Sequence, residues 1–370
     1  MNSIYIHFPF CKSRCIYCDF YSTTLGQEHM AAYVSALKRE LHLRRQYIIG
    51  TRVHNIYIGG GTPSLLPIPL LHDLFQAISQ HYTLADNAEV TIEANPDDIN
   101  AQWLEGIRTK PVNRISIGAQ TFDDNTLRLI NRRHNARQIT QAVEATHQSG
   151  IENISIDLIY GLPDQTLEHW KHDLEQALSL PIKHLSAYSL TYEEGTPLHL
   201  MLKRGRVKEA DEELSRKMYD HLLSETERAG FLHYEISNFA LPDHQSRHNS
   251  SYWQSKPYLG LGAGAHSYDG NRTRRANLPD IKAYIAATDD PPHETEHLSD
   301  TDLYNEFVMT RLRTSTGIPL NQLSETDRNY CLQQAQPHIN QHLLHLQSDH
   351  LSLTKQGIFT SNNIICDLMK

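Results

Sequence analysis

Strand-like and helix-like patterns alternate along the first two-thirds of the chain, and this alternation most narrows the possible folds. Short runs rich in Ile, Val and Tyr each end at Gly, Pro or a polar cluster, as strands do. Between them apolar residues recur every three or four positions, as on one face of a helix. Alternating strands and helices predict a parallel sheet with right-handed crossovers. The predicted strands cover residues 3–7, 55–58, 89–94, 114–117, 153–158 and 184–190.

Six strands close only part of a barrel, so the predicted fold class is α/β with a partial parallel (β/α)6-type barrel. We expect this barrel over residues 1–240, a connecting region over residues 241–290, and a small α+β, winged-helix-like domain over residues 291–370. Asp289-Asp290-Pro291-Pro292 predicts a linker. Residues 351–354 and 358–359, on either side of Gly357, predict a hairpin. A packing appendage without chemistry is the alternative for the last part.

Charge and hydropathy narrow the classes of partner. The chain has 34 Lys and Arg against 43 Asp and Glu, a formal net charge of −9, so we expect no nucleic-acid partner. The first residues lack the basic and apolar segments of a signal peptide, and no apolar run is long enough to cross a membrane. We therefore expect a cytoplasmic protein, for which peripheral membrane association stays open.

Cys11, Cys15 and Cys18 form a C-x3-C-x2-C pattern, which is the strongest chemical signal in the chain. The cytoplasm keeps thiols reduced, so such clustering indicates a metal or a cluster rather than a disulfide framework. Thiolates are the usual ligands of iron–sulfur clusters. Three of them can hold three irons of a 4Fe–4S cubane and leave the fourth iron open to another ligand.

A zinc site is the alternative for this loop. Zinc takes four tetrahedral ligands, commonly as two separated pairs, and the sequence has no second pair of cysteines. His7, Asp19 or His29 would have to supply the fourth ligand. We expect Cys331 and Cys366 to pack as small apolar residues.

The residues around the cysteines resemble a known family. Tyr5-Ile6-His7-Phe8-Pro9-Phe10-Cys11, followed by the cysteine loop, is similar to the radical SAM superfamily. The similarity is greatest to the branch that contains oxygen-independent coproporphyrinogen III oxidase and HemW, and it extends through nearly the whole chain. It implies a 4Fe–4S cluster on the three cysteines and S-adenosylmethionine (SAM) at the open iron.

The resemblance also implies the residues that bind SAM. Gly59-Gly60-Gly61-Thr62-Pro63 closes the second strand, and glycines let a backbone approach a ligand, although a plain turn is the alternative for a triple glycine. Arg132 is implied for the carboxylate, with Arg133 adjacent. The residues implied by the family are Gly60, Gly61 and Thr62 for the methionine end, Glu93 for the ammonium, Arg132 for the carboxylate, Gln120 and Asp157 for the ribose, Tyr5 near the sulfonium and Tyr17 near the adenine.

Two departures separate this sequence from the oxidase. Phe20 stands where the oxidase has a further cysteine, and the stretch that begins at Tyr5 lacks the long segment that precedes it in the oxidase. Both departures are features of HemW, so they disfavour decarboxylation of coproporphyrinogen.

A third feature is the hexapeptide His248-Asn249-Ser250-Ser251-Tyr252-Trp253, which resembles the H-N-x-x-Y-W signature of HemW, whose members bind haem. Imidazole is a common axial ligand of haem iron. Tyr252 and Trp253 could cover a porphyrin face. A hydrogen-bonded histidine and a core tryptophan are the alternative. Three arginines further on, Arg272, Arg274 and Arg275, either pair with propionates or lie in a solvated loop.

These features leave three hypotheses. The first, favoured by Phe20 and His248, is a haem chaperone that binds haem and passes it to a recipient protein, carrying the cluster and SAM. The second is oxygen-independent coproporphyrinogen III oxidase, which removes propionate carboxyl groups by radical chemistry. The third is another radical SAM reaction. Whether the chain is an enzyme stays open.

Overall fold

The computed structural model describes residues 2–370, and a 12-stranded sheet forms its largest part. Its first six strands lie side by side in chain order, and each pairs in parallel with the next. Each predicted strand corresponds to one of them, so the partial parallel barrel is confirmed. The six are β1 (Ser3–Phe8), β2 (Arg52–Gly60), β3 (Thr83–Ala94), β4 (Arg114–Gln120), β5 (Asn153–Tyr160) and β6 (His184–Ser189).

Helices connect these strands and bury an apolar stripe against the sheet. The helix before β5 shows why the sequence folds this way: Asn135 and Gln138 form a capping box at its start, and Gly150, with a φ of 92°, follows its end. Its buried positions Ile139 and Val143 face the core, as predicted. The connecting helices are α1 (Met30–Leu43), α2 (Ile68–Ser79), α3 (Ala101–Arg108), α4 (Asp124–Leu129), α5 (Ala136–Gln148) and α6 (Leu167–Ser179).

The sheet continues beyond the predicted strands at both edges. The strand order is β12-β11-β10-β9-β1-β2-β3-β4-β5-β6-β8-β7, in which β9 is parallel to β1 and the outer strands are antiparallel. The added elements are α7 (Pro197–Lys203), α8 (Glu212–Arg228), β7 (Leu232–Glu235), β8 (Asn238–Ala240), α9 (Arg247–Trp253), β9 (Tyr258–Leu261), β10 (His266–Tyr268), β11 (Thr273–Asn277), α10 (Ile281–Ala286) and β12 (His293–His297).

This continuity bears on the predicted domain boundaries. The segment 289–292, expected to be a linker, connects α10 to β12, and β12 pairs with β11 in the large sheet. The sheet therefore crosses both residue 240 and residue 290. The division of the chain at those two positions stays a prediction.

The two faces of the parallel strands differ in chemistry. Outward positions such as Ile4, Ile6 and Ile56 are fully buried in the large hydrophobic core under the helices. Inward positions are polar, because side chains alternate along a strand and neighbouring strands share one register. Tyr5 aligns with Tyr57, and further along the same level Thr91 aligns with Arg114. The barrel interior is therefore a polar chamber.

The C-terminal part is an α+β unit with its own hydrophobic cluster, which includes Val308, Leu312 and Leu351. Its three strands form an antiparallel sheet in the order β13-β15-β14. Its elements are α11 (Asp300–Leu312), β13 (Ile318–Pro319), α12 (Glu325–Asn340), β14 (Leu344–Gln347), β15 (His350–Leu353), α13 (Lys355–Ile358) and α14 (Ser361–Leu368).

Two expectations for this part were wrong. The predicted hairpin pairs residues 351–354 with 358–359, but β15 pairs with the preceding strand β14. Residues 355–358 form helix α13, because the Thr354 side chain accepts a hydrogen bond from the Gly357 N–H and caps it. Cys331 is buried as expected, whereas Cys366 is exposed, since α14 buries Ile364 and Ile365 instead.

The arginine run on β11 joins the large sheet to neighbouring elements. Arg275 pairs with Asp290 at 2.6 Å, Arg274 pairs with Glu306 of α11 at 2.8 Å, and Arg272 pairs with Asp300 at the start of α11. All three guanidinium groups thus have carboxylate partners within the chain. Among residues 2–370, no helix is both long and apolar enough to cross a membrane.

Candidate cofactor site

The interior of the partial barrel and the C-terminal unit together enclose a cavity of about 830 Å³. Phe359 and Asn362 of the C-terminal unit line it, so that unit closes part of the barrel's open side. The cavity brings together nearly all residues predicted to bind the cluster and SAM. These lining residues are Cys11, Cys15, Tyr17, Cys18, Gly60, Gly61, Thr62, Glu93, Gln120, Arg132 and Asp157.

The cysteine loop follows β1 and is fixed by its backbone. The Cys11 N–H donates to the Thr23 carbonyl at 2.8 Å, and the Cys18 N–H donates to the Cys15 carbonyl at 3.3 Å. Arg132 places a guanidinium nitrogen 3.3 Å from the Cys15 Sγ. All three cysteines are free and partly exposed to the cavity.

The donor set fits an iron–sulfur cluster better than a zinc ion. Within residues 2–370, no three His, Cys, Asp or Glu side chains converge closely enough to hold a single metal ion, as a tetrahedral zinc site requires. Thiolates of a cubane bind different irons and do not need to converge on one atom. Burial raises the pKa of the Cys11 thiol and raises that of Cys18 to about 11, so metal binding must displace protons from both.

The glycines after β2 have a packing role that the sequence did not reveal. Gly60 has a φ of 110°, and a Cβ there would lie 2.5 Å from the His7 imidazole. A Cβ on Gly61 would lie 2.7 Å from the Phe10 carbonyl oxygen. The Gly61 N–H donates instead to the Phe8 carbonyl at 2.8 Å. These glycines therefore let the end of β2 contact the chain that leads into the cysteine loop, and they also line the cavity.

Glu93 lies near the end of β3 and is held in one orientation. Its Oε1 accepts from the Tyr57 hydroxyl at 2.7 Å, and its Oε2 accepts from the Gly60 N–H at 3.1 Å. Burial raises the pKa of Glu93 to about 7, and the hydrogen bond from Tyr57 offsets part of that rise. A carboxylate in this position suits an ammonium ligand.

The adjacent residues Arg132 and Arg133 have different partners in the structure. Arg133 pairs with Asp97 at 2.9 Å and with Asp98 at 2.8 Å, so carboxylates of the chain already engage its charge. Arg132 has no carboxylate within ion-pairing distance among residues 2–370; it donates to the Gly118 carbonyl at 2.6 Å and to the Asn95 side chain. Arg132 is therefore the better candidate for a carboxylate ligand.

The two residues predicted for the ribose lie on neighbouring strands. Gln120 ends β4 with a φ of 70° and is almost fully buried. Both carboxylate oxygens of Asp157 lie 3.2 Å from the Ser116 hydroxyl. Burial raises the pKa of Asp157. Both residues line the cavity, as the predicted roles require.

Tyr5 is the one predicted SAM residue that the structure does not place in the cavity wall. Its hydroxyl lies 2.9 Å from the Nδ1 of His7. Its ring stacks with those of Tyr57 and His248. Tyr5 therefore lies inside the barrel, nearer to the amino-terminal ends of the strands than the predicted cofactor residues.

The predicted haem residues lie at the opposite, amino-terminal end of the strands. His248, on α9, is 2% exposed, and its Nδ1 lies 2.9 Å from the Asn55 Oδ1. Its Nε2 is buried without a hydrogen-bond partner. Burial lowers the pKa of His248 to about 3, so the imidazole is neutral. Tyr252 packs edge-on against His248, and the Arg313 guanidinium lies 5.8 Å from the centre of the partly buried Trp253 ring. His248 is therefore inaccessible to a porphyrin in this conformation.

Several cavity residues were missed by the sequence analysis. For those that lie on strands, the signal is alternation: polar residues stand at every second position of a strand that otherwise carries buried Ile or Val. In Arg114-Ile115-Ser116-Ile117-Gly118 the odd and even positions separate cleanly into an apolar and a polar face. The lining residues found only in the structure include Tyr57, Asn95, Arg114, Ser116, Ser186, Tyr188 and Arg313, and Asn249 of the predicted haem hexapeptide also lines the cavity.

Comparison with known proteins identifies the family of this chain. The model of the radical SAM superfamily matches residues 5–177, and that of the HemN C-terminal domain matches residues 298–360. The heme chaperone HemW of Lactococcus lactis is 35% identical over 98% of this chain and 96% of its own length. The chain belongs to the HemW family. HemW of Bacillus subtilis is 37% identical, over 88% of this chain and 86% of that protein, and HemW of Escherichia coli is 38% identical, over 86% and 84%.

The fold of a solved structure agrees as well. Coproporphyrinogen III oxidase (HemN) from Escherichia coli, a radical SAM enzyme, superposes with a TM-score of 0.85 over 100% of this chain and 90% of that chain, at 22% identity. This similarity confirms the fold. Membership of the HemW family, within the radical SAM superfamily, implies a 4Fe–4S cluster and SAM as cofactors.

Proposed function

We propose that this chain is a haem chaperone, which binds haem and transfers it to a recipient protein while carrying a 4Fe–4S cluster and SAM. The observation that carries the proposal is similarity to proteins named heme chaperone over nearly the full length of the chain. The cavity next to the three free cysteines supports it from the structure.

Within this proposal the cavity holds the two cofactors. Cys11, Cys15 and Cys18 would hold the cluster, which when bound and reduced can supply an electron to SAM. Glu93 binds the ammonium of SAM because its carboxylate is already oriented by two donors. Arg132 binds the carboxylate because its own charge has no acidic partner nearby. Gln120 and Asp157 bind the ribose, and Tyr17 lies beside the adenine.

Haem would bind through His248. Its imidazole is neutral, and because Nδ1 faces the Asn55 oxygen, the lone pair is on Nε2, which has no partner. Access requires α9 to swing outward. That motion breaks several contacts of α9 with the sheet, among them the hydrogen bonds from the N–H groups of Arg247 and His248 to the Glu89 carboxylate and the one between His248 and Asn55. Tyr252 and Trp253, on the same helix, would move with His248 and cover the porphyrin.

A haem titration of the anaerobically reconstituted protein tests this function. We expect about one haem per chain and a binding loss of at least about tenfold in His248→Ala, since an axial ligand disappears. His147→Ala is the matched control, because His147 is exposed on α5. Since removing a buried ring can also disturb folding, His248→Met provides a second measurement: a thioether ligand must change the absorption spectrum of bound haem. Unchanged binding and an unchanged spectrum would remove His248 from the ligand set.

Decarboxylation of coproporphyrinogen III is the competing function, and a turnover assay separates the two. Phe20 lines the cavity and is 65% exposed, so the position that holds a further cysteine in the oxidase presents a phenyl ring here. We expect no protoporphyrinogen from coproporphyrinogen under reducing, anaerobic conditions. Sustained turnover there would reverse the ranking.

A further inference from the structure

Arg114 is a buried cation that forms no ion pair within residues 2–370. It is the first residue of β4, is 2% exposed and lines the cavity. Its Nε has no hydrogen-bond partner. No carboxylate among residues 2–370 lies within ion-pairing distance of its guanidinium. A buried, unpaired charge costs several kcal/mol of effective desolvation, so chains rarely keep one without a function.

The groups around Arg114 do not neutralise it. Its charge acts on two imidazoles, His184 and His248, whose pKa values are lowered chiefly by burial and further by Arg114. His184 is already satisfied, with its Nδ1 2.7 Å from the Ser155 hydroxyl and its Nε2 2.7 Å from the Tyr234 hydroxyl. The Arg114 charge also acts on two buried carboxylates, those of Glu93 and Asp157, but neither pairs with it: Tyr57 and Gly60 hold Glu93, and the Ser116 hydroxyl contacts Asp157.

The position of Arg114 separates it from the SAM carboxylate site proposed above. Arg132 is held by the carbonyl of Gly118, four residues further along β4. Four residues of a strand span about 13 Å. The cavity is therefore lined by two arginines that are anchored at two levels of β4, and aromatic residues elsewhere in its wall include Tyr188, Tyr219 and Phe359.

We propose that Arg114 binds a carboxylate that reaches into the lower part of this cavity, namely a propionate of the haem that His248 would bind. This inference rests on the proposed haem function. A guanidinium forms two parallel hydrogen bonds with a carboxylate, and it does so most strongly where water is excluded. The bound carboxylate gives the buried charge the partner that the chain does not provide. The carboxylate of SAM is the other source of the same chemistry.

The test uses Arg114→Met, with Arg108→Met as the matched control, because Arg108 is exposed on α3. In ligand-free protein, Arg114→Met removes an unpaired buried cation and keeps most of the volume, so we expect a higher melting temperature than wild type. We also expect haem to bind at least about tenfold more weakly to this variant. Haem dimethyl ester, which lacks both carboxylates, should bind the variant and the wild type equally.

Two further experiments identify the source of the carboxylate and keep the test decisive if Arg114→Met does not fold. SAM and its decarboxylated analogue are titrated into the same reconstituted proteins; a loss confined to SAM assigns Arg114 to SAM and overturns the propionate. If Arg114→Met does not fold, Arg114→Lys keeps the charge without the fork and should still weaken haem binding. Unchanged affinity for all four ligands overturns the anion site. Failure of wild type to bind haem defeats the proposed function, and the propionate with it, while the SAM arms still decide whether Arg114 is an anion site.

Discussion

The imidazole of His248 stacks on the ring of Tyr57, with ring centroids 4.6 Å apart and ring planes 19° apart. The same tyrosine donates its hydroxyl to Glu93 at 2.7 Å. One side chain thus joins the histidine proposed for haem to the carboxylate proposed for the SAM ammonium. This contiguous contact gives a physical route by which a ligand at one site can bias the other.

Tyr57→Phe should weaken SAM binding while leaving the stacking on His248 intact. The lost hydrogen bond favoured the ionised carboxylate, so the pKa of Glu93 should rise above its value of about 7. At pH 7 the affinity for SAM should fall several-fold, measured by calorimetry on reconstituted protein. Tyr82→Phe is the control, since its hydroxyl donates to the Arg45 carbonyl away from the cavity. Equal SAM affinity in both variants would refute the role of Tyr57.

SAM affinity should depend on pH through Glu93. Burial raises the pKa of Glu93 from 4.5 to about 7, with Asp157 and Arg114 acting on it in opposite directions. Only the ionised form attracts an ammonium, so affinity should fall by up to about tenfold for each pH unit below 7. Glu93→Gln should abolish this dependence and Glu105→Gln, on an exposed face of α3, should keep it. The same affinity at pH 6 and pH 8 in wild type would contradict the prediction.

The raised pKa of Glu93 also sets the sign of its effect on stability. The folded protein holds the proton more tightly than the unfolded chain does. The favourable contribution is therefore complete below pH 4.5 and is lost as pH rises through about 7. Glu93→Gln should consequently reduce the decline in stability of ligand-free protein between pH 5 and pH 8, as measured by urea unfolding.

Gly60→Ala should destabilise the protein more than Gly195→Ala. Both glycines have positive φ, 110° and 88°, but a Cβ on Gly195 meets nothing within 4 Å. At Gly60 the Cβ meets the His7 imidazole, which Tyr5 and the Tyr21 carbonyl hold in place. We expect a loss of about 1–2 kcal/mol for Gly195→Ala and about 2–5 kcal/mol for Gly60→Ala in denaturant unfolding. Equal losses would show that the end of β2 tolerates a side chain.

The two adjacent arginines should separate into a binding and a structural role. Arg132→Met should weaken SAM binding about tenfold or more, because the proposed carboxylate partner disappears. Arg133→Met should leave SAM affinity nearly unchanged and lower the free energy of unfolding by about 2 kcal/mol, since Asp97 and Asp98 lose their shared partner. Measurement of both quantities in both variants checks the assignment, and the reverse pattern would exchange the roles.

The sequence predicted the parallel strands because their outward faces carry regular apolar residues and their ends carry Gly, Pro or polar residues. It missed β11 and β12 because Thr273-Arg274-Arg275-Ala276-Asn277 and the mostly exposed strand at 293–297 have almost no apolar face to reveal a strand. It also assigned the wrong partner to β15, since local turn signals favoured the following residues over the preceding strand.

The sequence likewise predicted some residues of the candidate site and missed others. The cysteine spacing and the family resemblance predicted the cluster loop and a set of SAM residues, most of which the structure brings to one cavity. Arg114 and Tyr57 were missed because an inward polar residue on a buried strand looks like a solvated one in sequence. The sequence analysis gave a hydrogen-bonded histidine as one alternative for His248, but its partner could not be foreseen, because Asn55 lies on β2, far away in the chain.

The most direct test of the cofactor site is Mössbauer spectroscopy of the anaerobically reconstituted protein, with and without SAM. Three thiolates leave one iron of a cubane open, so we predict a 4Fe–4S spectrum in which SAM changes the signal of a single iron. Replacing Cys11, Cys15 and Cys18 by Ala together should abolish the cluster, whereas Cys366→Ser, at an exposed position, should not. A colourless zinc protein, or a cluster whose spectrum does not respond to SAM, would contradict the account.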